Sequence, residues 1–235
     1  MHAARLPERS DSTDGRGTLT SLLMWCGVVA GPLFVVAFLV EGATSPGYDP
    51  MRLPVSLLSL GDGGWRQVAN FLVDGLLLLG FGVGVFRAFD ERGTPWMLGP
   101  VLLAIFALGV IGAGLFSTDP GGGYPPGAKV EPSLHGSLHD LVSLVVFTVL
   151  PVACLVFARR FAALGEHHWA IYSAITGGVL IAGFVLMVIG FNGKTSLSRV
   201  AGLIQRVWIV AGWGWLLLLA VHLLRLRAAV VSRRA

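Results

Sequence analysis

The sequence predicts an all-α membrane protein, a polytopic bundle of six transmembrane helices with both termini in the cytoplasm. Hydrophobic residues make up 54% of the 235 residues and charged residues only 13%, whereas soluble proteins carry about a quarter charged residues. The mean hydropathy is +0.76. Six nearly uncharged segments are each long enough, at roughly 20 residues, for a helix to cross a hydrocarbon core of about 30 Å. Arginine is concentrated in alternate connections between them.

The predicted spans, in order, are residues 19–40, 65–88, 96–117, 137–158, 168–191 and 199–224. The apolar run of the first is longer than the ~7 to 15 residues of a signal-peptide core and lacks a small-residue cleavage site, so we expect it to be retained. Trp65, Trp96 and Trp169 stand at the starts of the second, third and fifth spans, as interfacial anchors do. The second and sixth spans carry charges in their interiors, at Asp74 and Arg206.

The charge distribution predicts the orientation. The amino tail, the second and fourth loops and the carboxyl tail carry eleven arginines, whereas the first, third and fifth loops hold only Arg52, Lys129, Lys194 and Arg199. The positive-inside rule then places both termini in the cytoplasm. This topology accounts for the sequence pI of about 9.6, so no nucleic-acid partner is needed to explain it.

The predicted spans and the charge distribution divide the chain into three parts. Residues 1–18 are polar and predict a disordered cytoplasmic tail. Residues 19–225 form the six-helix transmembrane domain, and residues 226–235 a basic cytoplasmic tail. The pairs Gly27–Gly31 and Gly80–Gly84 have the spacing that lets membrane helices approach closely. We expect them to pack the bundle internally, with homo-oligomerisation as the alternative use.

Polar residues within the second span predict a functional pocket. Asp74 lies nine residues beyond Trp65, or ~14 Å at 1.5 Å per residue, close to the bilayer centre. Arg66, Asn70 and Asp74 recur every four residues and so share one helical stripe. Arg206 in the last span lies at a similar expected depth. We therefore expect an Asp74–Arg206 ion pair, which could be either structural or in contact with a proton, substrate or ligand.

The stretch HGSLHDL, residues 135–141, opens the fourth span and has two interpretations. If Pro132 is the first helical residue, His135 and His139 share one helical face. If the helix instead starts at Ser137, Ser137 and Asp140 form a capping box, and His135 belongs to the loop. Glycine at position 136, a poor helix former, slightly favours the later start.

Three roles remain open for the two histidines. A zinc site needs three or four protein ligands, so His135 and His139 would need a third such as Asp119, which stands at no diagnostic spacing. They could instead form a pH-responsive or ligand-contacting pair, or be interfacial residues beside an ordinary helix cap. The sequence contains no nucleotide-binding glycine loop, no GxSxG elbow and no CxxC motif. We therefore expect no cofactor, and keep zinc as the alternative.

Three motifs carry a resemblance to a known family: SLLSLGDGGWRQVANF at 56–71, TDP at 118–120 with GYPPG at 123–127, and HGSLHDL. Together they resemble the bacterial integral-membrane family catalogued as domain of unknown function 998, over about residues 20–225. The resemblance implies a multi-pass protein of the bacterial cytoplasmic membrane, and it carries no catalytic role to any residue. Membrane hydrolases related to alkaline ceramidases are a more distant comparison, but they have seven spans and a second histidine cluster in the last helix.

These observations lead to three functional hypotheses. The first is a membrane protein that binds or passes a small or lipid-like ligand at a polar pocket opening outward. The second is a zinc-dependent hydrolase of lipid amides or esters, and the third is an accessory or scaffold subunit. The residues expected to line the pocket are Arg66, Asn70, Asp74, Asp119, His135, His139 and Arg206.

Overall fold

The computed structural model describes residues 10–91, 93 and 96–232, and this part of the chain contains six long α-helices and no strand. The helices are α1 (Ser10–Thr44), α2 (Trp65–Asp90), α3 (Leu98–Leu115), α4 (Leu134–Ala163), α5 (His167–Phe191) and α6 (Ala201–Ser232). Each contains a stretch long and apolar enough to cross a membrane. The chain is therefore a multi-pass membrane protein with the predicted number of spans. Two short 3₁₀ helices, Val55–Ser59 and Ser196–Arg199, lie in the connections.

The six helices form a closed ring. Each packs against its neighbour in sequence, and α6 returns to pack against α1. Segments 45–64, 116–133 and 192–200 lie at one end of the ring, which we call the loop face. The carboxyl end of α2 at residue 91, residues 96–97 before α3 and the short connection 164–166 lie at the opposite end, the terminal face. There Arg227 pairs with Glu91 at 3.0 Å, and Glu91 also accepts a hydrogen bond from Thr20 at 2.6 Å.

Both terminal helices are longer than their apolar cores. We predicted a disordered tail over residues 1–18, but α1 begins at Ser10. The predicted basic tail 226–235 likewise continues α6 as far as Ser232. Extending an existing helix adds one hydrogen bond for each residue that is fixed, whereas starting one is costly, so a helix can run past the hydrophobic segment that nucleates it. Residues 1–9 and 233–235 of the two predicted tails lie outside the described residues.

Glycines bring the helices of the ring into close contact, as their spacing predicted. A methyl group on Gly84 of α2 would lie 3.0–3.1 Å from backbone atoms of Leu23 and Met24 in α1. One on Gly31 of α1 would lie 3.1 Å from the carbonyl oxygen of Trp213 in α6. Because apolar burial adds little to helix association within lipid, such backbone approach is a main source of packing energy there.

Candidate ligand-binding cavity

A cavity of about 290 Å³ lies inside the ring near the loop face. All six helices contribute to its wall, together with residues 54–56 of the first loop. Most of its lining is apolar, as in typical sites for small organic ligands. The lining residues are Phe34, Pro54, Val55, Ser56, Phe71, Val110, Ala113, Thr118, His139, Asp140, Ser143, Val146, Phe147, Met187, Phe191, Gln205 and Ile209.

Two buried side chains add oriented hydrogen-bonding groups to this apolar wall. His139 is 3% exposed, and its Nδ1 lies 2.8 Å from the carbonyl oxygen of Phe116. Since a carbonyl only accepts, Nδ1 carries a proton, and Nε2 is left to hydrogen-bond with an occupant. Gln205 accepts a 2.7 Å hydrogen bond from the Val55 amide through Oε1, which leaves its NH₂ group as a donor. Each of these two buried side chains therefore offers one further hydrogen-bonding group to an occupant.

The cavity approaches the surface near the loop-face ends of α4 and α5. Two of its lining residues, Asp140 in α4 and Phe191 at the end of α5, are exposed. Both lie toward the loop-face ends of their helices, so the opening is close to the level where a membrane-spanning bundle meets water. Asp140 is the acidic side chain among the lining residues.

The first loop forms part of the cavity wall because α6 holds it in place. Arg206 is 7% exposed and donates to the carbonyl oxygens of Leu53 at 3.1 Å and Gly202 at 2.9 Å. Its other terminal nitrogen donates to the hydroxyl of Tyr48 at 2.6 Å. Burial raises the pKa of the Tyr48 phenol, and the adjacent Arg206 guanidinium opposes that rise. Arg206 thus acts as a positioning residue for the wall.

The expected ion pair between Asp74 and Arg206 is not formed. Asp74 is fully buried, and its Oδ2 accepts a 2.9 Å hydrogen bond from the indole Nε1 of Trp213. Trp213 is seven residues beyond Arg206 in α6, or about 10 Å along the helix. The two charged groups therefore lie at different depths, whereas we had predicted similar ones. Oδ1 of Asp74 has no hydrogen-bond partner among the described residues.

The polar stripe of α2 is rotated relative to the prediction. Arg66 is exposed, with its guanidinium 6.0 Å from the ring centre of Trp65. Its neighbour Gln67 is fully buried instead and accepts a 3.3 Å hydrogen bond from Asn70, which also donates to the Phe34 carbonyl oxygen. The buried stripe is therefore Gln67, Asn70 and Asp74, with spacings of three and four residues. None of the three lines the cavity.

Helix α4 begins at Leu134, close to the earlier of the two predicted starts. Ser133 is the N-cap, and its hydroxyl oxygen accepts a 2.9 Å hydrogen bond from the Gly136 amide. The alternative capping box is wrong: Ser137 donates to the Ser133 carbonyl oxygen at 3.0 Å, and Asp140 faces the cavity opening. Ser133 can cap because Asp119 fixes its orientation.

Asp119 holds the third loop against the start of α4. Its carboxylate accepts from the Ser133 hydroxyl at 2.6 Å and from the Ser133 amide at 3.0 Å. These two hydrogen bonds, the hydroxyl first, hold the pKa of the Asp119 carboxyl below its usual value. Gly136 leaves room for this contact, since a methyl group there would collide with the carboxylate.

The three residues of the alternative metal site have separate roles in the structure. Asp119 binds Ser133, His139 binds the Phe116 carbonyl oxygen, and His135 is exposed with its ring packed edge-on to Phe116 at 6.0 Å. Within residues 10–91, 93 and 96–232, no group of three or more His, Cys, Asp and Glu side chains is placed to hold a metal ion. Of the predicted pocket residues, only His139 lines the cavity.

The fold and the cavity together define a class: a six-span membrane protein whose ring of helices encloses a mainly apolar cavity. The model of the family described as Protein of unknown function (DUF998) matches residues 28–222. The chain belongs to this family. No curated protein and no solved structure matches the chain significantly.

Proposed function

We propose that the protein binds or passes a small or lipid-like ligand in the cavity lined by all six helices. The observation that carries the proposal is the combination of a mainly apolar wall with two buried polar side chains, His139 and Gln205, whose remaining hydrogen-bonding capacity is free for an occupant. An apolar cavity with a few oriented polar groups is the general form of sites for small organic ligands. The opening beside exposed Phe191 suits a ligand that arrives from the lipid.

The setting of this function, in our proposal, is the bacterial cytoplasmic membrane, with both termini in the cytoplasm and the cavity opening outward. The distribution of arginine supports this orientation. Family membership supports the membrane setting in general terms. The ligand would then be met in the outer half of the bilayer or at its outer surface.

Filling the cavity tests the proposal. Ala113 lines the cavity and is 5% exposed, so Ala113→Phe should occupy the space that a ligand uses. Leu108→Phe, on the lipid-facing side of the same helix and 56% exposed in the wild type, is the matched control. Native mass spectrometry of protein released from membranes should detect a bound lipid-like molecule with wild type and Leu108→Phe, and not with Ala113→Phe.

A second variant tests the same cavity in case Ala113→Phe does not fold. Ser143 lines the cavity but is only half-buried, so Ser143→Phe can be accommodated with less strain and should give the same loss. Equal retention of lipid-like molecules by the wild type and both cavity variants, with normal thermal unfolding, would refute the proposal.

A further inference from the structure

A second, more polar cavity of about 360 Å³ adjoins the first at the loop face. The two share three lining residues, Pro54, Thr118 and Phe191. We call this second cavity the loop-face groove. Its remaining lining residues are Arg52, Leu53, Leu57, Asp119, Gly121, Gly122, Gly190, Gly193 and Ser198.

The groove contains one side chain of each charge. Arg52 is exposed and comes from the first loop, and Asp119 comes from the third. Hydrogen bonds from Ser133 favour the ionised form of Asp119, because they lower the pKa of its carboxyl. The Ser198 hydroxyl and the glycine backbone of the lining add neutral hydrogen-bonding groups. The groove therefore matches a polar group that carries both charges, and the adjoining cavity matches a hydrocarbon chain.

We propose that the ligand is a single-chain zwitterionic amphiphile. Its hydrocarbon chain occupies the cavity beside Phe34 and Val146, its anionic group lies in the groove near Arg52, and its cationic group lies near Asp119. This inference rests on the proposed function and adds the chemical class of the ligand.

The dimensions favour one chain over two. A cavity of about 290 Å³ lies at the lower limit of ligand sites, which range over about 300–1,000 Å³. It has room for part of one hydrocarbon chain and not for the paired chains of a complete bilayer lipid. The shared lining residues Pro54 and Thr118 mark where the chain would join its headgroup.

Three lysolipids with the same acyl chain distinguish the headgroup chemistry: zwitterionic lysophosphatidylethanolamine, anionic lysophosphatidylglycerol and a neutral monoacylglycerol. Binding to the full-length protein in maltoside detergent can be compared by native mass spectrometry. We expect the zwitterionic lipid to bind about two- to fivefold more tightly than the neutral one, which is the scale that an exposed charge contact supports. It should also bind more tightly than the anionic lipid.

Two substitutions test whether the groove causes the preference for the zwitterionic lipid. Arg52→Gln should bring the zwitterionic and neutral lipids to similar affinity, whereas Arg66→Gln, which removes an exposed arginine outside the groove, should leave the preference unchanged. Asp119→Asn should remove the preference for the zwitterionic over the anionic lipid. Each readout is a ratio of two affinities, so a small loss of folded protein does not alter it.

The possible failures are distinguishable. If all three lipids bind equally, or the anionic one binds best, and Ala113→Phe abolishes binding, the headgroup assignment is wrong and the cavity function stands. An unchanged preference in Arg52→Gln would likewise overturn the assignment alone. Failure of all three lipids to bind would overturn the ligand class alone, provided that wild type but not Ala113→Phe still retains a co-purified molecule. Lipid binding that is unaffected by Ala113→Phe would overturn both proposals.

Discussion

The indole nitrogen of Trp213 lies 2.9 Å from Oδ2 of Asp74, and this contact replaces the ion pair that a central carboxylate in a membrane helix would be expected to make. Trp213 also stacks on Phe34, with ring centres 4.8 Å apart, and packs edge-on against Phe106 at 5.2 Å. The carboxyl group is thus a hydrogen-bond acceptor that orients a large aromatic side chain at the junction of α1, α2, α3 and α6.

If Asp74 acts as an acceptor for Trp213, its charge is dispensable. Asp74→Asn keeps an oxygen for the indole N–H and should unfold at the wild-type temperature or above. Asp74→Leu removes the acceptor, and the buried indole N–H then costs about 1–3 kcal/mol. Thermal unfolding in detergent compares the two variants. An equal loss of thermal stability in Asp74→Asn and Asp74→Leu would show that the carboxylate itself is required.

Arg206 should control the order of the first loop. Arg206→Gln loses the paired contacts to Leu53 and Tyr48, and each hydrogen bond from a charged donor is worth about 1.5–3 kcal/mol. Amide hydrogen exchange over residues 48–55 should accelerate at least tenfold, which corresponds to a loss of about 1.4 kcal/mol in local stability. Arg66→Gln, at an exposed arginine on the same face, serves as the control and should leave this exchange unchanged.

Gly202 lies under the first loop and should not tolerate a side chain. A methyl group there would lie 2.6 Å from the Leu53 carbonyl oxygen and 2.7 Å from that of Pro50. Gly202→Ala should therefore destabilise the protein by about 1–3 kcal/mol, as overpacking does.

Gly214 provides the matched control in the same helix. No atom lies within 4 Å of a methyl group placed there, so Gly214→Ala should be neutral or stabilising by up to about 1 kcal/mol. Chemical or thermal unfolding of the two variants makes the comparison. Similar stability of both would argue that the first loop does not rest on α6.

The hydrogen bonds between Asp119 and Ser133 predict that the third loop loosens in acid. Folding lowers the pKa of the Asp119 carboxyl. Its contribution to the stability of the third loop is therefore complete above the unfolded pKa of about 3.9 and is lost as the pH falls through the lower folded pKa. The Ser133 amide should lose hydrogen-exchange protection over this range. In Asp119→Asn the pH dependence should vanish, and its persistence would assign the effect to another group.

The arginine distribution predicts the orientation of the bundle. Fusions after residue 232 and within segment 116–133 can each carry a reporter that is active only outside the cytoplasm. We expect activity from the second fusion and none from the first, because positively charged segments stay in the cytoplasm. The reverse pattern would place the cavity opening on the cytoplasmic side.

The spans were predictable because each depends on a local property, a run of apolar residues long enough to cross the membrane. The side-chain partners were not, because they depend on rotation about the helix axis and on depth. Spacing by four residues placed Arg66 with Asn70 and Asp74, yet the buried residue is Gln67, at a spacing of three from Asn70. Both spacings lie on one helical face, so the sequence alone does not choose between them.

The cavity itself was only partly predictable. His139 was identified from its position, but Gln205 and Ser143 carry no distinctive pattern, and Asp140 was considered only as a helix-capping residue. The role of Arg206 was missed because its partners are backbone carbonyl oxygens of a loop, which have no sequence signature. The Ser133 cap was missed for a related reason, since its stability depends on Asp119, fourteen residues earlier in the chain.

The stacked rings of Phe34 and Trp213 also separate the cavity from the buried carboxyl group of Asp74. Phe34 faces the cavity, and Trp213 behind it holds Asp74. One layer of aromatic rings thus sets how deep an occupant can penetrate and keeps a carboxylate out of its reach. Truncating Phe34 to a small side chain would open the layer on the cavity side. The cavity would then gain a route toward an acidic group deep in the bundle, and with it the basis of a selectivity for cationic ligands.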